Sequence, residues 1–283
     1  MIAVDIGGTN LRLARLSKDL LIQERVSIST PKDGDSIVLA ISNFAREFDE
    51  QTPIGISFAG VADFKNGVII NFTNKCIANF PICAEIFKLC GKKAILVHDA
   101  SAAALGEMEL GSAKGVSNFI YVTLSTGIGG AFVFNGKVVD GEHGWAGEIG
   151  HMTLLQDGPS CNCGKRGCWE ALAAGSGLRN QGLSSKEIFH QVRLGKKEAY
   201  NKACEIAHWH GIGLANLINA LDPSVIVLGG GQMQSWSIME GELMATLEEH
   251  LYPKRDTKGL IKLAKLGDDG GLVGAAIAAR RSQ

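Results

Sequence analysis

The chain opens "MIAVDIGGTNLRLARLS", residues 1–17, and this stretch decides how the rest is read. Two apolar, β-type runs, MIAVDIG and LRLARLS, flank a Gly-Gly pair of the kind that closes a tight hairpin, and a third run, IQERVSIST, follows at once. After it the pattern changes period. Ile37, Ala40, Ile41, Phe44, Ala45 and Phe48 recur at helical spacing behind Asp35 or Ser36, either of which suits an N-cap. A buried strand IGISFAG comes next, then turn-rich sequence through Asn79, a helical stretch near 83–91, and the strand AILVHD running into the helix ASAAALGEME. Three strands and then alternating helix and strand predict an α/β unit. From NFIYVTLSTGIGGAFVFNGKVV the rhythm starts again and reaches helices and the strand VIVLGGG, so a second α/β unit is expected beyond about residues 110–118. Within it, Ser184 and Glu187 are spaced as a capping box, and a long helix runs from about 197 to 221, ahead of Asp222-Pro223.

Composition narrows the function classes. The 283 residues are 46% hydrophobic, and 28 basic residues nearly cancel 29 acidic ones. With neither a global field nor a basic run, nucleic acid and anionic membrane are not expected partners. The first apolar run contains Asp5 and does not read as a signal peptide, and no apolar run reaches the roughly 18 residues that span a bilayer. A cytoplasmic protein is expected. Seven cysteines are an odd number for a disulfide framework; in a reducing compartment a dense group points to metal.

Three glycine-rich turns each follow a β-type run: DIGGTN at 5–10, STGIGGA at 125–131 and LGGG at 228–231. Glycine lets backbone amides approach a ligand and permits positive φ, and Thr9, Ser125 and Thr126 add hydroxyls that suit phosphate oxygens. Singly, each is an ordinary turn. Together, with Asp5 placed to meet a hydrated metal ion, they favour a nucleotide cradle that is neither a Walker loop nor a dinucleotide fingerprint. Asp99, at a strand-to-helix junction, reads equally as an N-cap and as a general base for a substrate hydroxyl.

Residues 147–170, GEIGHMTLLQDGPSCNCGKRGCWE, carry the strongest single signal. His151, Cys161, Cys163 and Cys168 form one nitrogen and three thiolate donors, the closed set of a structural zinc site with no vacancy for a catalytic water. Such a site would staple the loop and fix Glu148 and Glu170 relative to one another. Cys76, Cys83 and Cys90, seven apart, are expected to be buried or half-buried thiols. His208, Trp209 and His210 cannot share a helical face and are expected to be packing or surface residues. Trp145 suits a pocket wall and a core position equally.

The segments DIGGTN, GVADFKNGVI, HDASAAALGE, STGIGGA, GEIGH, CNCGKRGCWE, DPSVIVLGGG and GGLVGAAIAA, spread over nearly the whole chain, resemble the ROK family of repressors, uncharacterised open reading frames and sugar kinases. The resemblance implies a two-domain, actin-like (ribonuclease H-like) ATPase fold with an interdomain cleft. Its first domain would take residues 1–112 plus 268–283 and its second, with the zinc loop, residues 113–267. It implies an ATP-dependent hexose kinase, glucokinase-like, that uses ATP with Mg2+ and a structural Zn2+ and forms a homodimer. Asp99 matches the catalytic base. Gly60, Asn74, Glu148, His151 and Glu170 match positions of the sugar site, with one His151 nitrogen on zinc and the other toward the sugar. Gly7, Gly8, Thr9, Asn10, Thr126, Gly127, Gly229, Gly230 and Gly231, together with Asp5, would hold the nucleotide.

The chain departs from the family pattern in three places. His98 stands where the family's glucokinases usually carry asparagine, altering one sugar-hydroxyl contact. Ala59-Gly60 replaces proline-glycine, and NFTNKCIANF departs from the usual proline-asparagine-leucine. Glu148 favours a gluco-type hexose, with N-acetylmannosamine, allose and fructose as alternatives. A DNA-binding repressor is disfavoured because the first glycine motif begins at Asp5. A non-catalytic sugar sensor is the competing class.

Overall fold

The computed structural model describes residues 1–48, 53–72 and 75–282. Among these, the chain forms two compact units, one of Met1–Ser117, Lys137–Ala146 and Lys265–Gln283, the other of Asn118–Gly136 and Gly147–Ala264. The segment 137–146 thus belongs with the first unit. Nothing in the helix and strand rhythm marks it, because it forms little regular structure beyond a two-residue strand.

The first unit opens with the expected three strands, β1 (Ile2–Ile6), β2 (Asn10–Leu16) and β3 (Ile22–Ser29). Helix α1 (Gly34–Arg46) leads into β4 (Ile54–Phe58). Its N-cap is Asp33, whose side chain accepts from Ser36 N at 2.8 Å, not Asp35 or Ser36. Helix periodicity sets a boundary only to within a turn, and the aspartate with extended backbone takes the cap. The region expected to be turns contains three short strands, β5 (Val61–Asp63), β6 (Val68–Asn71) and β7 (Ala78–Phe80), paired as one antiparallel sheet. Strands this short carry too few side chains to show an alternation. Helix α2 (Ile82–Cys90) ends on the left-handed Gly91, and β8 (Ala94–His98) runs straight into α3 (Asp99–Glu109).

The main sheet has the order β3-β2-β1-β4-β8. The first three strands are antiparallel, while β1, β4 and β8 are parallel neighbours joined by crossovers that include α1 and α2. Strands β1 and β4 are buried nearly throughout, as expected where a parallel sheet is covered on both faces. Their partners in register are Ile6, Phe58 and His98 at the carboxyl ends. Three parallel strands therefore finish level.

The second unit is built on β9 (Phe119–Leu124) and the antiparallel β10 (Ile128–Phe134); the short β11 (Lys137–Val138) lies in the returning segment of the first unit. Helices α4 (Trp169–Ala173), α5 (Gly175–Asn180), α6 (Ser185–Arg193) and α7 (Lys197–Leu221) precede β12 (Val225–Gly229), α8 (Trp236–His250) and β13 (Ile261–Leu263). Ser184 caps α6 as its spacing predicts, accepting from Glu187 N at 3.4 Å. Strand β12 lies parallel to both β9 and β13. The core gathers Ile120, Val122, Ile226 and Leu228 of the sheet with Trp169, Leu214, Ile218 and Leu243 of the helices. Each such aliphatic side chain contributes roughly 1.5–3 kcal/mol by leaving water.

The last helix, α9 (Gly270–Arg281), returns to the first unit and packs on α3. A Cβ on Gly274 would sit 1.6 Å from the Ala102 carbonyl oxygen, which only glycine avoids. The small residues of ASAAALGE and GGLVGAAIAA are explained by this approach of two helix backbones.

Candidate active site and metal centre

In the first unit, the level ends of β1, β4 and β8 deliver three segments to one edge of the sheet: the turn Gly7–Asn10, Ala59-Gly60, and His98-Asp99. Loops at the carboxyl ends of parallel strands are where open α/β sheets take their ligands. The first turn is closed by Gly7 N donating to Asn10 O at 3.0 Å, and Thr30 Oγ1 donates to Gly7 O at 2.7 Å.

Asp5 sits beneath this turn. It accepts from Ser57 Oγ at 2.9 Å and from Arg12 Nη1 at 3.3 Å, and Arg12 also reaches Asp268 at 3.6 Å. Burial raises the Asp5 pKa above the usual carboxylate value and nearby Asp99 adds to this, with Ser57 and Arg12 opposing. Arg12 and Asp268 were not expected here. Arg12 lies in a β-type run, and its partner is 256 positions away.

Asp99 is the first residue of α3, and the N-cap position is His98, so the capping role is not realised. Asp99 Oδ1 instead accepts from Ala100 N at 2.7 Å and lies 3.4 Å from His98 Nε2. This holds one carboxylate oxygen and turns the group at a partly exposed position. The His98 ring also meets the edge of Phe64, with centroids 5.7 Å apart. Asp140 lies close enough for its pKa, raised by burial, to be partly lowered by His98. Gly60 is enclosed, since a Cβ there would meet Phe58 at 2.6 Å. Asn74 lies outside the described residues.

In the second unit, Ile128 pairs with Leu124 and Gly229 with Thr123, so the turns Ser125–Gly127 and Gly229–Gly231 leave the sheet at the same end. Of the glycines expected to need positive φ, Gly230 has it, at 91°; at Gly127 a Cβ would lie 2.7 Å from Glu170 Oε2, so a larger residue would displace that carboxylate. That oxygen accepts from Ile128 N at 3.1 Å. Gly175 N and Ser176 N donate to Ser125 O and Thr126 O at 3.0 and 2.7 Å.

His151, Cys161, Cys163 and Cys168 converge, with one donor atom from each lying within 4.8 Å of the others. His151 Nδ1 is 3.7 Å from Cys161 Sγ, and Cys163 Sγ is 3.7 Å from Cys168 Sγ. Zinc–sulfur bonds of about 2.3 Å in a tetrahedron place two sulfurs about 3.8 Å apart, so the donor set fits that ion. Burial raises the Cys168 thiol, a cost that a bound dication would reverse by favouring thiolate. With Nδ1 facing the sulfurs, His151 Nε2 lies on the other side, 3.8 Å from Glu148 Oε2.

Other expectations resolve individually. Trp145 is 55% exposed and thus not a core residue. Cys76 is exposed, whereas Cys83 and Cys90 are half-buried. His208 is half-buried, but His210 is fully buried and hydrogen-bonded on both ring nitrogens.

Two α/β units, glycine turns at strand ends and a carboxylate at a strand-to-helix junction define a protein of the actin-like ATPase fold. The chain belongs to the ROK family, whose profile matches residues 1–282. It is 30% identical to the glucokinase of Halalkalibacterium halodurans in an alignment 306 positions long, covering 96% of this chain and 92% of that one. It is 32% identical to the N-acetylmannosamine kinase of Haemophilus influenzae, covering 97% and 93%. A Streptomyces griseus ROK glucokinase solved with glucose and AMPPNP is similar at a TM-score of 0.85 and 30% identity, covering 99% of each chain.

Proposed function

We propose that this chain is an ATP-dependent hexose kinase that transfers the γ-phosphate to the 6-hydroxyl of glucose. The observation that carries the reading is the level finish of β1, β4 and β8, which sets a phosphate-type turn and the carboxylate of Asp99 on one sheet edge. Asp99 takes the proton of the sugar hydroxyl through its less engaged oxygen. The hydroxyl oxygen then bonds to the γ-phosphorus as the bond to the bridging oxygen breaks, and ADP leaves.

Gly7, Gly8, Thr9 and Asn10 in the first unit, and Thr126, Gly127 and Gly229–Gly231 in the second, offer backbone amides and hydroxyls to the nucleotide. Gly60, Asn74, His98, Glu148, Glu170 and the Nε2 of His151 are the sugar-side groups. A magnesium ion, near which Asp5 would stand, supplies charge neutralisation on the phosphates. Zinc on His151, Cys161, Cys163 and Cys168 supplies rigidity. The resemblance divides the chain into 1–112 with 268–283 and 113–267; this reading keeps that division but assigns residues 137–146 to the first domain.

Among the described residues no helix is long and apolar enough to cross a membrane. A cytoplasmic homodimer completes the reading. His98, whose ring stands beside both Asp99 and Phe64, leaves N-acetylmannosamine, allose and fructose open as alternative substrates. The test is ADP release on a panel of glucose, mannose, allose, fructose, N-acetylmannosamine and N-acetylglucosamine. Preference for glucose supports the reading, and preference for one of the alternatives transfers it to that sugar. No turnover with AMPPNP still bound leaves the non-catalytic sensor.

A further inference from the structure

The second unit holds a polar chain sealed from water. Trp169 Nε1 donates to His210 Nδ1 at 3.1 Å, His210 Nε2 lies 2.8 Å from Gln232 Oε1, and Gln232 Nε2 donates to Ala173 O at 2.8 Å. Trp169 and His210 are fully buried and Gln232 is 5% exposed. An indole nitrogen only donates, so His210 Nδ1 must accept, the ring proton sits on Nε2, and that N–H donates to Gln232. The polarity of all three bonds follows from one residue type. Burial pushes the His210 pKa down to about 4, so the ring stays neutral and the polarity holds at physiological pH.

The members come from three places in the sequence. Trp169 and Ala173 are the first and last residues of α4, the helix that follows Cys168 and contains Glu170. His210 lies in the middle of α7, and Gln232 directly follows the Gly229–Gly231 turn. Separate bonds tie the same neighbourhood to the other glycine turn: Ser176 N to Thr126 O, and Ile128 N to Glu170. An apolar core at this point would avoid the cost of desolvating an imidazole and an amide. A fully satisfied buried network instead selects one relative placement of the parts it joins.

We propose that His210 and Gln232 are positioning residues for phosphoryl transfer: acting through α4, they lock the nucleotide-side turn Gly229–Gly231 to the segment carrying the sugar-side Glu170. The proposal rests on the kinase reading above. Neither residue acts on the reacting atoms; both act through the elements they join.

The test compares the wild type with His210→Phe, His210→Gln and Gln232→Ala, using ATP and hexose kinetics and the indole 1H–15N resonance of Trp169, assigned by its loss in Trp169→Phe. In the wild type, AMPPNP alone shifts that resonance. In Gln232→Ala the resonance persists but its response to AMPPNP is lost, since Trp169 still donates to His210. His210→Phe lowers kcat/KM for ATP and for hexose together by about 10-fold, the scale of one buried hydrogen bond. Glutamine at 210 can accept from the indole and donate to Gln232, and returns both values to within about threefold. A wild type that neither binds AMPPNP nor phosphorylates a hexose overturns the kinase reading and this proposal with it. An active wild type whose Trp169 resonance ignores AMPPNP, with variants that lose thermal stability but keep both kcat/KM values, overturns the proposal alone. Gln232→Ala decides the matter if His210→Phe fails to fold.

Discussion

Glu170 Oε2 accepts a hydrogen bond from the backbone N–H of Ile128 at 3.1 Å, across 42 positions of sequence. The carboxylate proposed as a sugar-side group therefore also closes the glycine turn 125–131. A charge-assisted bond to a backbone amide is among the stronger kinds, so turn and helix α4 hold each other in place.

Gly127→Ala tests this clasp. The added Cβ would fall 2.7 Å from Glu170 Oε2, and the carboxylate must move. Losing a hydrogen bond to a charged group costs roughly 1.5–3 kcal/mol, so kcat/KM should fall by about 10-fold or more for both ATP and hexose. Steady-state kinetics with each substrate varied in turn measure it; a loss confined to ATP would mean that the turn alone was disturbed.

Asp99→Asn should bind AMPPNP and hexose as the wild type does and lose about 10²-fold or more in turnover, the usual consequence of deleting a general base. Calorimetry for binding and single-turnover kinetics for chemistry separate the two effects. A kcat within a few-fold of wild type would remove Asp99 from the role.

His98→Asn should change the ratio of kcat/KM between glucose and its epimers or N-acetyl derivatives, because the imidazole stands 3.4 Å from Asp99 and against Phe64. The hexose panel repeated on the variant measures this. An unchanged ratio across the panel places His98 away from the sugar.

The four-donor cluster predicts one zinc per chain by elemental analysis, and less than about 0.2 in protein prepared without chelator would defeat the closed site. Cys163→Ser should lower Tm and release the metal. If the site only fixed Glu148 and Glu170 relative to one another, metal loss would act mainly on the sugar KM. The Ile128–Glu170 bond changes that expectation: both KM values should rise together.

Stability should fall in acid through His210. Its folded pKa, about 4, lies below the ordinary imidazole value of 6.5, because burial disfavours the charged form. The unfolded chain therefore binds a proton that the folded chain refuses. The contribution is fully present above pH 6.5 and is lost as pH falls toward 4, up to roughly 3 kcal/mol over that window. Urea midpoints at pH 7 and pH 5 measure it for the wild type and for His210→Gln, which has no imidazole and should show a correspondingly shallower loss.

Local patterns in the sequence were enough to place β1–β3, α1, the strand-to-helix junction at Asp99 and the four donors of the metal loop. Alternation, 3.6-residue spacing and short-range ligand spacing are written in neighbouring residues, and these features depend on little else. The three short strands β5–β7 and the return of residues 137–146 to the first unit were not legible, because their partners decide them. The same holds for Arg12 with Asp268, Ile128 with Glu170, and Trp169, His210 and Gln232. These residues lie tens to hundreds of positions apart, and a buried histidine has no mark in sequence that separates it from an exposed one on the same helix. Only the packed sheet and helices bring a donor to its acceptor. In that sense the residue types determined what chemistry was available, and the tertiary structure decided which carboxylate, amide and imidazole meet, since hydrogen bonds form over about 3 Å of space regardless of the length of chain between them.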